Sequence, residues 1–292
     1  MSSEIQEIEK KKDNYFGYLQ SIRNLPSVPL IIFEVSRLLD NPMTSASELG
    51  KVISHDQGLV AKVLTVANSP LYGIPRRVST IEFAIVILGF DHIKNIVIAL
   101  SMLESFKSKN ESQWNKRSYW LHSIITATAA KRISDELGYP RSGEAFTAGL
   151  LHDLGISVMQ RYFNEEFLKI STMADGQEIR NLNAEKIVMG ITHQEIGQFL
   201  TDKWNLPPIL GETILYHHTP SLADNNKELT AIVHLADYMT QKFDIGSFDW
   251  DDNFQLDEKI IEILNLGDFS YFNKFVDSYE KLFRNQIDSL IK

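Results

Sequence analysis

Helical periodicity is the feature that most restricts the fold of this 292-residue chain. Apolar residues recur at spacings of three and four along most of it. No long stretch alternates polar and apolar side chains as a half-buried strand does. The segments Ser45 to Glu48, Ser79 to Glu82 and Thr192 to Glu195 each carry the Ser/Thr-x-x-Glu pattern of a helix capping box. The sequence therefore predicts an all-α, multi-helical fold.

Composition and charge narrow the chemistry and the surroundings. The chain has no cysteine, so disulfides and thiolate metal sites are excluded and any metal must be held by nitrogen and oxygen. The formal net charge of -9 lacks the basic excess of a duplex-binding surface, so nucleic acid is not an expected partner. The longest apolar stretch, Phe83 to Leu103, is interrupted by polar residues, and the charged N-terminus lacks an apolar signal core. We expect no membrane span and a cytoplasmic location.

One short motif places an imidazole beside a carboxylate at the end of an apolar helical run. It reads Gly149-Leu-Leu-His152-Asp153-Leu-Gly155. A carboxylate in such a setting is costly to bury unless it is paired or bound to a metal. A second His-Asp dipeptide, His55-Asp56, follows a helix end without companion ligands, and we interpret it as a helix cap.

The possible partners of this motif lie on or at the ends of other predicted helices: His122, His193, His217, His218 and Asp237. His193 follows the predicted N-cap Thr192, where the helix dipole disfavours an imidazolium and leaves the neutral ring that a metal requires. Side chains of the adjacent His217 and His218 would diverge by about 100° on a helix. They can share an ion only where that helix ends, or together with a bridging group.

Taken together, these seven residues suit a two-metal site with Asp153 as the bridging carboxylate. Nitrogen and oxygen ligands favour iron or manganese, with zinc as a further option, and up to two divalent ions. Such a site can clamp a phosphoryl oxygen and activate a water. The alternative is a set of unrelated core and surface histidines, which the pattern leaves open.

The order of these residues resembles the HD superfamily of metal-dependent phosphohydrolases. The adjacent pair His217-His218 and the spacing His193-x-x-x-Gly197 resemble the branch that includes the HD-GYP proteins. The first half resembles the HDOD family, in three segments: Leu25-Pro-Ser-Val-Pro29, Asp56 to Gly73, and Val78 to Gly89. The resemblance covers residues of about 20 to 240.

The resemblance implies an N-terminal helical subdomain of HDOD type, residues 1–108, followed by an HD-like metal-binding helical core with a C-terminal helix, residues 109–292. It also implies a bacterial protein linked to signalling and regulation. One metal would take His122, His152, Asp153 and Asp237. The second would take Asp153, His193, His217 and His218.

Two departures from the resemblance argue against turnover. HD phosphohydrolases commonly continue the motif with a lysine that contacts phosphate, and here Ile156 stands at that position. The GYP loop is also absent, since Thr219-Pro220 follows the paired histidines. Arg161 and Lys131 are the candidates to replace the missing positive charge, and His152 and Asp153 are the candidate catalytic residues.

Three functions follow as hypotheses. The first is a regulatory or signalling module with an HD-type metal centre and little turnover. The second is a working phosphohydrolase or phosphodiesterase that acts on a nucleotide or cyclic dinucleotide, a phosphate-containing small molecule. The third is a metal-free scaffold that binds a protein partner through the N-terminal subdomain. The sequence does not indicate the oligomeric state.

Overall fold

The computed structural model describes residues 2–22, 25–105, 116–174, 181–246, 248, 250 and 254–291. Within these ranges the chain forms helices and no strand, which confirms the predicted all-α class. The predicted division between residues 1–108 and 109–292 lies outside the described residues, and it stays a prediction.

The N-terminal helices begin at caps that the sequence largely predicts. Ser45 and Glu48 form the expected capping box, and Asp56 accepts the Leu59 N–H as the expected cap of the next helix. A short 3-10 turn, Pro70–Tyr72, separates the fourth helix from the fifth. The helices are α1 (Ser2–Ser21), α2 (Leu30–Leu39), α3 (Ala46–Ile53), α4 (Gln57–Ala67), α5 (Ile81–Leu88) and α6 (Phe90–Ser105).

The predicted start of α5 is wrong by one residue. Thr80 is the N-cap, and its hydroxyl accepts the Phe83 N–H, so Ser79 and Glu82 form no capping box. Ser and Thr are both good N-caps, so the burial of the residue that follows decides between the neighbouring Ser79 and Thr80. With Thr80 as the cap, the first helical residue is the buried Ile81. Gly89 ends α5 at a φ of 85°, as predicted.

The later helices surround the HD-like motif. The tail, which the sequence predicts as one apolar stripe over 272–291, is divided into two helices at the buried Tyr279. The Tyr279 hydroxyl donates to Glu136, and its ring packs on Phe275. The helices from residue 116 onward are α7 (Lys116–Glu136), α8 (Ser142–Leu151), α9 (Leu154–Tyr162), α10 (Asn164–Ala174), α11 (Asn181–Val188), α12 (His193–Lys203), α13 (Pro208–Tyr216), α14 (Lys227–Phe243), α15 (Ile260–Ile263), α16 (Phe269–Ser278) and α17 (Glu280–Ile291).

Helix α7 contributes side chains to two clusters of buried apolar residues. Ile124 and Ala127 belong to the cluster that joins the N-terminal helices to α9 and α12. Ile125 and Ala129 belong to the cluster that includes α14 and the C-terminal helices. Because α7 also packs against both α8 and α14, it places His122 where the motif helices meet.

No single helix among the described residues is both long and apolar enough to cross a bilayer. The pair α5 and α6 meets the length and composition requirement together, with a bend of 120° between them.

His92 is a buried histidine of α6 that links the N-terminal helices to α8. Its Nε2 lies 2.7 Å from the Tyr72 hydroxyl, and its ring meets Phe146 edge-on at 5.3 Å. Burial lowers the pKa of His92 to about 3. His92 therefore stays neutral in the folded chain at a pH where the unfolded chain binds a proton. Because only the unfolded state gains that proton, the free energy of unfolding decreases as the pH falls below about 6.5.

We expect His92→Phe to flatten this acid sensitivity. The variant should be less stable at pH 7.5, because the Tyr72 hydroxyl loses its partner. Between pH 7.5 and 5, the wild type should lose about 2 kcal/mol more unfolding free energy than the variant. Urea unfolding at both pH values measures this difference. His55→Gln is the control, since it removes an exposed imidazole and leaves the contacts of His92 in place.

Candidate metal centre

The HD-like motif lies at the junction of two helices. His152 ends α8, and Asp153 is the N-cap of α9. Two glycines flank this junction, and each marks a close approach between helices. A Cβ on Gly149 would lie 2.9 Å from the Cα of Ala127 in α7, and one on Gly155 would lie 1.9 Å from the carbonyl oxygen of His193. The motif therefore brings α7 and the start of α12 to the same place.

The remaining ligand candidates arrive through two further elements. A Cβ on Gly197 would lie 2.6 Å from Ile214, so α12 also packs closely on α13. His217 is the C-cap of α13, and His218 follows it, so the adjacent pair stands where the helix ends, which is one of the two arrangements that the sequence left open. Asp237 projects from the middle of α14 and is fully buried.

All seven predicted side chains are buried and brought together; we name them the His/Asp cluster: His122, His152, Asp153, His193, His217, His218 and Asp237. The two oxygens of Asp153 face different histidines. Oδ2 lies 3.5 Å from Nε2 of His122 and 3.3 Å from Nε2 of His152. Oδ1 lies 3.6 Å from Nε2 of both His193 and His217. This is the arrangement of a carboxylate that bridges two ligand sets.

The separations between ligand atoms suit a shared ion. Atoms that bind one ion at about 2.1 Å stand about 3 to 3.4 Å from each other in octahedral or tetrahedral geometry. Nε2 of His122 lies 3.1 Å from Nε2 of His152 and 3.4 Å from Oδ1 of Asp237. Nε2 of His193 lies 3.4 Å from Nε2 of His217.

Three overlapping groups have ligand atoms within 4.8 Å of one another: His122, His152 and Asp153; His193, His217 and His218; and His152, His217 and Asp237. The first two groups fall within the two ligand sets that the family resemblance implies. The third joins one histidine from each set to Asp237. The two sets are therefore in contact.

Backbone carbonyls orient three of the histidines. Nδ1 lies 2.9 Å from the Gly246 oxygen in His122, 2.7 Å from the Gly149 oxygen in His152, and 2.7 Å from the Ile214 oxygen in His217. A carbonyl oxygen only accepts, so each Nδ1 carries the hydrogen and donates it. The lone pair of a neutral ring is then on Nε2, which faces Asp153.

Burial lowers the pKa of His122 to about 4 and the pKa of His217 and His218 well below the ordinary value, so these rings stay neutral as metal ligands require. Burial acts in the same direction at His152, but the carboxylate of Asp153 outweighs it and raises the pKa of His152 to about 9. Burial also raises the pKa of Asp237 to about 7. It opposes ionisation of Asp153 as well, but the neighbouring His152 outweighs it and holds that pKa well below its usual range.

The two buried carboxylates, Asp153 and Asp237, attract positive charge to the cluster. Neither oxygen of Asp153 or of Asp237 has a hydrogen-bond partner among the described residues. Such oxygens are costly to bury unless a cation compensates them. The donor set, five imidazoles and two carboxylates with these oxygens turned inward, fits divalent metal ions.

Two residues outside the predicted set support the cluster. Oε1 of Glu185 in α11 lies 2.8 Å from Nδ1 of His193. His234 donates from Nδ1 to the His217 carbonyl oxygen at 2.7 Å. His234 stands three residues before Asp237 in the sequence, whereas Glu185 has no predicted ligand within one helical turn. The only sequence signal for Glu185 was a charged residue beside Ala184 on a short helix, which is common on exposed surfaces.

The two candidate replacements for the missing lysine are engaged elsewhere. Lys131 lies nine residues along α7 from His122, a distance of about 13 Å on a helix, and pairs with Asp135 at 2.6 Å. Arg161 donates to the Ser105 carbonyl oxygen at 2.9 Å. Neither of these interactions involves a residue of the His/Asp cluster.

We expect Gly155→Ala to separate α9 from α12. The added methyl would meet the His193 backbone, which cannot move as a flexible side chain does, so unfolding free energy should fall by about 3 kcal/mol. Gly17→Ala is the control, because nothing lies within 4 Å of its Cβ position in α1. That change should stabilise the chain by about 0.5 to 1 kcal/mol. Urea unfolding of both variants measures the contrast, and equal stabilities would contradict the close approach.

The chain is similar in fold to solved structures of bacterial proteins. A solved HDOD domain protein of unknown function from Geobacter sulfurreducens is 27% identical, with a TM-score of 0.77 over 96% of this chain and 98% of that one. A candidate phosphohydrolase from Shewanella amazonensis is 24% identical, with a TM-score of 0.69 over 93% of this chain and 97% of that one, and it shows likeness of fold alone.

A relative known from sequence is an uncharacterised protein of Treponema pallidum. It is 27% identical over 229 residues, which are 76% of this chain and 43% of that protein. The chain therefore matches less than half the length of this relative. The sequence profile of the HDOD domain matches residues 25–220, about two thirds of the chain. This protein belongs to the HDOD family.

Proposed function

We propose that this chain is a regulatory or signalling module whose His/Asp cluster binds up to two divalent metal ions and turns over little substrate. The observation that carries the proposal is the position of Asp153. Its carboxylate is fully buried, and its two oxygens face separate histidines at 3.3 to 3.6 Å without a hydrogen-bond donor. A pair of divalent cations would satisfy both oxygens of this carboxylate.

The donor set favours iron or manganese. Imidazole and carboxylate ligands without thiolate suit Mn²⁺ and Fe²⁺, and zinc is the further option. Five imidazoles and two carboxylates are enough to give two ions several protein ligands each, with Asp153 shared.

The surroundings of the His/Asp cluster support low turnover. Ile156 stands where HD phosphohydrolases carry a phosphate-contacting lysine, and it is fully buried in the apolar cluster shared with the N-terminal helices. Aromatic rings pack against the cluster, with Phe248 at 6.2 Å from His122 and Phe254 at 5.5 Å from His218, between ring centroids. No member of the cluster is more than 6% exposed, so the described residues shield the ligands from solvent in this conformation.

The alternative is a metal-dependent phosphohydrolase or phosphodiesterase that acts on a nucleotide or cyclic dinucleotide. It is supported by the complete set of seven ligands. Bound divalent ions would supply a clamp for a phosphoryl oxygen and a water of lowered pKa. Under this alternative, Asp153 and His152 are the residues on which activity depends.

A signalling role also requires a partner. Leu30 and Phe33 on α2 are 77% and 59% exposed, and Val86 on α5 is 69% exposed. Exposed apolar side chains of this size support a protein partner that binds the N-terminal helices. A bacterial, cytoplasmic setting is part of this proposal.

The metal centre is tested by elemental analysis of protein purified from iron- and manganese-supplemented medium. The wild type should hold up to two divalent ions per chain. Asp153→Asn should weaken metal binding by at least about 100-fold, because it removes the bridging charge. Asp56→Asn is the matched control: it changes the second His-Asp dipeptide, a helix cap where Asn serves as well, and should retain the metal.

Turnover is tested with the same metal-loaded protein. We expect negligible hydrolysis of a phosphomonoester and of a cyclic dinucleotide. Steady hydrolysis that Asp153→Asn abolishes would establish the phosphohydrolase instead. If the wild type holds no metal after loading with Fe²⁺ and Mn²⁺, the result would favour the metal-free scaffold that binds a protein partner.

A further inference from the structure

Glu185 is a fully buried carboxylate that none of the ligand sets includes. It lies on α11, eight residues before His193, and is 0% exposed. A buried carboxylate is retained in a folded chain only where its oxygens are satisfied. The bonds made by Glu185 therefore indicate its role.

Both oxygens of Glu185 hold His193. Oε1 lies 2.8 Å and Oε2 3.0 Å from Nδ1 of His193, and Oε2 also accepts the His193 backbone N–H at 2.8 Å. The side chain and the backbone at the start of α12 are thus bound to the same carboxylate. As a pure acceptor, an ionised Glu185 leaves the hydrogen on Nδ1 and directs Nε2 toward Asp153.

This support differs in kind from that of His122, His152 and His217. Nδ1 of His122, His152 and His217 donates to a backbone carbonyl oxygen. The partner of His193 is instead a charged side chain, which a point substitution can remove without altering the backbone. A carboxylate behind a ligating imidazole fixes its orientation and raises its basicity.

Glu185 has a second partner, the indole of Trp250. Nε1 of Trp250 donates to Oε1 at 2.6 Å, the same oxygen that faces Nδ1 of His193. The indole is stacked on Phe167 with centroids 4.5 Å apart, and the Trp250 carbonyl accepts from Asn181. These contacts hold Trp250 in place. The hydrogen bonds from His193 and from the indole share Oε1 of Glu185, so a change in one of them alters the other.

We propose that Glu185 is a positioning residue for the metal centre: it orients His193 as a ligand and, through the shared Oε1, connects cation binding to the environment of Trp250. The inference rests on the proposed metal-binding function. It assigns the His193 side of the cluster a dependence on Glu185 that the His122 side does not share.

The first test compares Mn²⁺ binding by the wild type, Glu185→Gln and Glu195→Gln, each stripped of metal and titrated by calorimetry. Glu185→Gln keeps the size but places an amide N–H₂ against groups that are themselves donors. We expect one of two sites to weaken about 10- to 100-fold while the other is retained. Glu195→Gln is the matched control: Glu195 is two residues from His193, caps α12 and pairs with Lys12 without contacting the imidazole. Its Mn²⁺ affinities should equal those of the wild type.

The second test uses tryptophan emission. Mn²⁺ should change the emission of the wild-type chain, and Trp250→Phe should remove most of that change while both ions still bind. In Glu185→Gln the emission change should also be strongly reduced. An undiminished change in Trp250→Phe would contradict the connection to Trp250.

Melting temperatures separate positioning from a merely structural role. We expect the rise in melting temperature on adding Mn²⁺ to be smaller in Glu185→Gln than in the wild type. An equal rise, together with unchanged affinities, would overturn the inference. If Glu185→Gln does not fold, Glu185→Asp, which keeps the charge and shortens the reach, decides by the same measurements. A wild type that binds no Mn²⁺, Fe²⁺ or Zn²⁺ would instead overturn the proposed function itself.

Discussion

The burial of one carboxylate, that of Asp153, is the constraint on which the rest of the structure depends. A charge at the junction of α8 and α9, away from water and without a hydrogen-bond donor, is tolerated only among groups that compensate it. Nε2 atoms of four histidines surround it at 3.3 to 3.6 Å. The helices that carry those rings must therefore end or cross at this point, whatever the remainder of their surfaces packs against.

Close helix approaches make this convergence possible. Gly149, Gly155 and Gly197 each occupy a position where a Cβ would stand within 3 Å of a neighbouring helix. Together they draw α7, α8, α9, α12 and α13 around one centre. The apolar cluster that includes Ile156 then extends from this centre to the N-terminal helices. Core packing is therefore continuous between the His/Asp cluster and the N-terminal helices.

A second layer of contacts holds the ligands in their orientations. Most of these contacts are backbone carbonyls at helix ends, which come with the fold and need no particular side chain. Glu185 is the exception among them, and it joins His193 to Trp250 through one oxygen. His234 similarly joins the His217 carbonyl to the Asp257 N–H. The residues after α14 are thus tied to the cluster at several points: Gly246, Trp250 and Asp257.

Local information in the sequence was sufficient for the helical class and for the capping boxes at Ser45 and Thr192. Each depends on residues within one or two turns of one another. The order of histidines and aspartates, read through a family resemblance, predicted which seven side chains the structure brings together. Only the tertiary structure decided that Thr80 rather than Ser79 caps α5, that Tyr279 divides the tail, and that Glu185 supports His193. These features depend on which neighbours become buried against residues distant in the chain, and that information arises only when the helices pack.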